Sequence, residues 1–243
     1  MNRRTFLKSV PALAAAAPGF TEDANTIPDV NTASNSIEGL EPITLVKPET
    51  DGGKTVLAAL KERRTIRNIS AKELTPQALS NLLWAAFGVN RESGPFGQAG
   101  RTAASASNSQ EMDLYVVMAE GTYLYETAGH RLTPVVAGDL RAKVGAHGRR
   151  DAMVKAPVIL VYVVDIAKYS KSRLQEPGLK DPEIQKSYYN VATGLIAANV
   201  YLFAASQGLA AWFHNCNKAG LATELKLRAE QRVLYAQTVG FPA

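Results

Sequence analysis

Three arginines and a hydroxyl fall within five residues at Arg63-Arg64-Thr65-Ile66-Arg67. In an extended segment alternate side chains share a face, with same-face neighbours about 6.6 Å apart. Arg63, Thr65 and Arg67 would then project one way, and Arg64 and Ile66 the other. Guanidinium, hydroxyl, guanidinium in a row suits an anion, because guanidinium pairs with phosphate in a bidentate fork and keeps its charge at any working pH. A solvated basic turn is the alternative, and these five residues alone do not choose between the two.

Other chemistry-bearing patterns fail on spacing. Gly53-Lys54-Thr55 lacks the glycine a phosphate loop needs five positions before the Gly-Lys pair; Pro48 stands there. Gly94, Gly97 and Gly100 follow no strand and open no helix, so they make no dinucleotide fingerprint. His130, His147 and His214 have no metal-ligand spacing, and there is no G-x-S-x-G nucleophile elbow. Cys216 is the single cysteine; it reads as a small buried hydrophobe more readily than as a thiolate nucleophile.

The elements that must position the arginines alternate without a strict βαβ rhythm, which predicts an α+β class. Lys54 to Arg63 reads as a short helix. A second starts at Thr75-Pro76, with a Thr N-cap and Pro at the first helical position, and carries Leu79, Leu82, Leu83, Ala86 and Phe87 to Gly88. Residues 91–106 read as a long loop. Asp113 to Ala119 and Tyr123 to Glu126 read as strands, and Pro134 to Val144 and Arg149 to Lys155 as short helices. Pro157 to Val164 reads as a buried central strand. The longest helix runs from Pro182 to Gln207 and stops at Gly208; Asn190 and Asn199 interrupt it as a membrane span. Ala210 to Phe213 reads as a strand, Gly220 to Ala229 as a helix and Val233 to Val239 as a closing strand.

The 243 residues are 46% hydrophobic, enough for one substantial core. Removing Arg3, Arg4 and Lys8 takes the formal charge from +5 to +2, which gives no argument for nucleic acid. Asn2 to Lys8 followed by the apolar run Val10 to Ala17 is similar to a twin-arginine export signal. The run is shorter than the roughly 20 residues a membrane span needs. Residues 1–25 are thus expected to be a signal, 26–50 a linker or surface-wrapping arm and 51–243 the functional domain. The expected location is outside the cytoplasm, in the periplasm, and an exported chain without disulfides is a candidate cofactor protein.

Five blocks then resemble, in order, the FMN-dependent nitroreductase family. They are Glu62 to Arg67, Arg101 to Gln110 followed by a strand, Ala156-Pro157 with its apolar strand, the Ala192 to Gln207 helix with Gly208-Leu209, and Val239-Gly240-Phe241-Pro242. The resemblance implies a mainly antiparallel sheet flanked by helices, with a long core helix, and a homodimer with FMN at the subunit interface. It implies that Arg63, Thr65 and Arg67 hold the phosphate and ribityl chain, with Arg64 beside the ribityl or ring portion. Ala104, Ser105 and Ala106 would approach from the partner subunit, and Asn108 would meet the ring edge, where an amide matches a carbonyl and an N–H together. Gly208 and Leu209 would lead into a loop, Ala211 to His214, near the flavin N5.

Ala104 stands where the family usually has Pro, and His214-Asn215-Cys216 where many members have Glu-Gly. The sequence stops at Ala243, where members commonly carry Lys or Arg, so the phosphate is expected to rest on Arg63, Arg67 and Arg101. The function so implied is an FMN-dependent oxidoreductase working by ping-pong turnover on a small organic substrate, with NAD(P)H or another redox partner as donor. Nitro or quinone reduction and azoline-to-azole dehydrogenation are sub-alternatives. A non-catalytic flavin-binding or scaffold protein of the same fold is the competing reading, and an unrelated exported α+β binding protein a third.

Overall fold

The computed structural model describes residues 37, 39–94, 97–145 and 154–243. Alternating apolar residues build a seven-stranded, wholly antiparallel sheet. Its strands are β1 (Ile43–Thr44), β4 (Met112–Val117), β5 (Gly121–Glu126), β6 (Arg131–Ala137), β7 (Val158–Asp165), β8 (Ala210–His214) and β9 (Gln231–Gly240), in the spatial order β1-β6-β5-β4-β7-β9-β8. Two short strands, β2 (Val89–Arg91) and β3 (Gly100–Arg101), pair separately, β2 at the start of the 91–106 stretch expected to be a loop and β3 inside it. The α+β expectation and the central place of β7 both hold: every residue of β7 is buried.

The period of two along β7 divides the core. Val158, Leu160, Tyr162 and Val164 pack against α2 (Pro76–Phe87) and α5 (Pro182–Gln207), where Leu82, Leu83, Ile196 and Val200 are fully buried. Ile159, Val161 and Val163 face the other way, onto α3 (Arg141–Val144) and α6 (Lys218–Glu224) through Val144 and Leu221. Burial of each such aliphatic side chain is worth about 1.5–3 kcal/mol. The ends of α5 match the sequence signals. Asp181 accepts from the Glu183 and Ile184 N–H groups, and Gly208 takes the left-handed conformation at φ +70°. The Leu209 N–H then donates to Ala204 O at 2.8 Å.

One helix expectation is corrected. Pro134 to Ala137 belongs to β6, and only Arg141–Val144 of that stretch is helical. Pro134 sits where β5 and β6 shift register beside Tyr123, and β1 covers only Leu132 and Arg131 of β6. A residue without an N–H is tolerated at such a broken, half-open position, and the flanking Val135 and Val136 favour a strand. Leu40 and Leu45, in the stretch expected as an arm, are buried in the core. A Cβ at Gly121 would lie 2.5 Å from Leu40 Cδ2, so the glycine makes room for that contact. The export signal and most of the expected 149–155 helix lie outside the described residues. Among the described residues no helix is long and apolar enough to cross a membrane.

Candidate active site

The arginine segment leaves α1 (Val56–Glu62) at Arg63, whose N–H closes the helix on Ala59 O at 2.8 Å. It then runs beside the edge strand β8. The Ile66 N–H donates to Ala211 O at 3.0 Å, Ile69 bridges Pro242, and Ser70 N–H donates to Phe241 O at 2.8 Å. The segment is extended but is not a regular strand, so strict alternation breaks. Arg63 lies over the Tyr201 ring at 5.4 Å and Thr65 Oγ1 meets the Tyr201 hydroxyl at 3.0 Å, while Arg67 reaches the Trp212 ring at 5.8 Å. Trp212 packs on the opposite face of the sheet from Phe213. Arg63 and Thr65 both meet Tyr201 and Arg67 diverges from them, while Arg64 and Ile66, expected on the opposite face, line the same cleft as Arg63, and Thr65 does not.

A cleft of about 590 Å³ opens between α1, the segment and the end of α5. Lys54, Lys61, Arg63 and Arg64 bring four positive charges to its lining against one negative, Glu62. Lys54 and Glu62 pair with each other. Lys61, Arg63 and Arg64 make no ion pair among the described residues. Gly208 and Leu209 line the same cleft, as does Tyr201.

Tyr201 is the residue that sequence reasoning missed. Its hydroxyl also accepts from the Phe213 N–H at 2.8 Å, so one side chain ties the arginine segment to α5 and to the outer edge of β8. The available signal was helical spacing: Tyr201, Ala204 and Ala205, and Gly208 are i, i+3/i+4 and i+7 on one face.

Ala104, Ser105, Ala106 and Asn108 do not line this cleft. They belong to a separate tight segment with a 3₁₀ turn over Ala106–Asn108, and Ser107, Asn108 and nearby Gln110 all have φ near +50°. Left-handed non-glycine residues cost about 1–3 kcal/mol each and cluster at functional sites. Here a polar network holds them. Gln110 N–H donates to Ser105 Oγ at 3.0 Å, and the Asn108 amide is engaged by Gln98 at 3.3 Å and Gln110 at 3.1 Å. Arg101, expected as a third phosphate cation, lies with this segment instead and donates through Nε to Gln110 at 2.7 Å. The stretch from Ala211 to His214 is not a loop but strand β8, paired with β9 throughout. His214 is buried, bonded to Thr238 Oγ1 at 2.9 Å. Cys216 is also buried, and desolvation pushes its thiol pKa up to about 11.

A Ser–His pair that no local motif signalled lies elsewhere: Ser80 Oγ is 2.7 Å from His130 Nε2, and Tyr125 OH is 2.9 Å from Nδ1. Ser80 is fully buried and its single proton goes to Val46 O, so the trio clamps the chain around residue 46 rather than presenting a nucleophile.

Residues 60–241 match the nitroreductase family. The chain belongs to that family. Its fold resembles a Ralstonia eutropha protein assigned to the nitroreductases, with a TM-score of 0.72 and 32% identity over 83% of this chain and 90% of the other. A Methanocaldococcus jannaschii protein assigned to the same group is 26% identical over 157 residues, 62% of this chain and 73% of that protein. The Escherichia coli microcin synthetase McbBCD complex contains a chain of the same fold, with a TM-score of 0.59 and 18% identity over 99% of this chain and 85% of that one. Nitroreductase-family proteins are generally FMN-dependent oxidoreductases that act on small molecules with a nicotinamide donor.

Proposed function

We propose that the arginine cleft binds the phosphate and ribityl chain of FMN, and that the protein is an FMN-dependent oxidoreductase using ping-pong turnover on a small organic substrate. The observation that carries this reading is a 590 Å³ cleft whose Lys61, Arg63 and Arg64 have no carboxylate partner among the described residues. The donor set fits a phosphate, since charge-assisted hydrogen bonds to an oxyanion are the strong kind. FMN bound there would supply the electron-transfer chemistry. The protein's own part is positional: Arg63 and Arg64 neutralise the phosphate, Tyr201 orients Arg63 and Thr65, and Gly208 with Leu209 shapes the wall.

The active unit on this reading is a homodimer. Val56, Leu57 and Leu60 on α1 are exposed, as are Val191 and Leu195 on α5, and these apolar faces suit a second copy. A second copy would also bring its Ala104–Asn108 segment to a cleft that lacks one. The twin-arginine-like start supports work outside the cytoplasm, where a redox partner other than NAD(P)H would serve as donor. The test is the visible spectrum of the purified protein, then anaerobic reduction and reoxidation by a quinone or nitro compound. Stoichiometric flavin that cycles supports the reading. Protein that neither carries nor takes up FMN refutes it and leaves the scaffold reading.

A further inference from the structure

We propose that a second cavity, between β3, β4 and α4 (Ala167–Ser170), is an anion-binding site that takes the carboxylate or phosphate of a small molecule. The cavity measures about 270 Å³, the volume of about nine waters at roughly 30 Å³ each. Arg101, Lys168 and Lys171 contribute three cations to its lining and Asp113 the only carboxylate. That carboxylate is already committed: Lys168 Nζ donates to one oxygen at 2.5 Å and Gln231 to the other at 3.4 Å. Arg101 and Lys171 are left without a counter-charge, and neither makes an ion pair among the described residues.

Arg101 is the telling group. Its guanidinium packs over Phe87 at 5.5 Å, and its Nε is satisfied by a neutral amide, Gln110 Oε1. Nη1 is buried with no hydrogen-bond partner. A buried donor without a partner is costly, and most such groups are hydrogen-bonded in stable folds. Burial lowers the Arg101 pKa, an effect that the nearby Tyr125 hydroxyl only partly offsets. Gln110 joins the cations: its side chain holds Arg101, and its carbonyl accepts from Lys168 Nζ at 3.3 Å.

The second, independent observation is strain. Of the left-handed residues Ser107, Asn108 and Gln110, the last lines the cavity, as does Ser109. Gln98, which holds the Asn108 amide, lines it too. A ligand oxyanion would pair with the Arg101 guanidinium and draw in Lys171. The site shares no lining residue with the arginine cleft, although its Gln98 and Gln110 hold Asn108 of the segment that the flavin reading brings to a partner's cleft.

The test is calorimetric and thermal-shift titration of the full chain with sodium benzoate and with sodium phosphate, chloride held constant. Saturable binding of either anion is expected, and the stronger response names the class. Arg101→Gln should weaken it at least tenfold, and exposed Lys171→Ala about threefold without affecting folding. Arg64→Ala removes phosphate uptake by the arginine cleft, and the response that depends on Arg101 and Lys171 should persist in that background. Absence of saturable binding overturns the proposal. So does binding that survives Arg101→Gln and Lys171→Ala but is lost in Arg64→Ala, since the anion then sits in the arginine cleft. Should Arg101→Gln not fold, Lys171→Ala decides.

Discussion

Replacing Tyr201 by phenylalanine keeps the ring beneath Arg63 and removes a single oxygen. That oxygen accepts from the Phe213 N–H at 2.8 Å and bonds Thr65 Oγ1 at 3.0 Å. Two hydrogen bonds of about 0.5–1.5 kcal/mol net are lost together, and the Phe213 N–H on the outer side of β8 loses its acceptor. The expected loss of stability is about 2 kcal/mol, or about 4–8 °C in Tm for a domain of this size. The effect on ligands should be selective. The arginine segment loses its tie at Thr65 while the ring contact to Arg63 at 5.4 Å remains, so the arginine contacts to phosphate weaken and those to the isoalloxazine do not. The Kd for FMN should rise about tenfold, equivalent to about 1.4 kcal/mol, and the Kd for riboflavin less than about twofold. Fluorescence titration with both flavins separates the two effects. Equal losses for FMN and riboflavin, or an unchanged Tm, would refute the reasoning that Tyr201 anchors the arginine segment.

Three further outcomes concern titrating groups. Glu111 is fully buried, and burial holds its carboxyl pKa above the ordinary value. The Ser109 hydroxyl has one proton for two acceptors, Ala106 O and Glu111 Oε2, which a protonated Glu111 resolves by donating back. A raised folded pKa means stability is lost as pH rises from about 4.5 through the folded value, so Glu111→Gln should raise the Tm at pH 7.5 and lose that advantage near pH 4.5. His130 has the opposite sign: burial lowers its pKa, and its contribution falls as pH drops below about 6.5. His130→Gln should flatten the decline in Tm between pH 7.5 and 5.5, and a decline of wild-type steepness would contradict the clamp. Native Cys216, with its thiol pKa near 11, should resist iodoacetamide at pH 8 and react only after denaturation; modification at the rate of a free thiol would contradict its burial.

The parts of the fold that sequence made legible are those where one local signal met one tertiary role. The Pro182–Gln207 helix was readable because Asp181 caps it, Pro182 starts it and a left-handed Gly208 stops it, all local chemistry. Strand β7 was readable because a sheet covered on both faces demands an unbroken apolar run. Strand β6 was not, because Pro134 argues locally against a strand and only its place beside a register shift makes it acceptable. The site divided in the same way. Arg63 and Thr65 stood out by type and spacing, and they do meet. Their meeting point, Tyr201, lies 136 residues from Thr65 and carries no motif. Arg67 left the predicted face because the segment bonds β8 at Ile66 but forms no regular ladder, which lets Arg67 turn to Trp212. Arg101 looked like a phosphate cation by charge alone, and the pairing of β3 with β2 carries it to a different cavity.

The most direct test of the central claim is a fluorescence titration of FMN into the wild-type protein and into Arg63→Ala. Loss of one charge-assisted phosphate contact costs about 1.5–3 kcal/mol, or about 10–150-fold in Kd. Saturable quenching at about one FMN per chain, weakened at least tenfold in Arg63→Ala, is the predicted result. No saturable quenching in the wild type, or an affinity indifferent to Arg63, would contradict the account of this cleft as the flavin phosphate site.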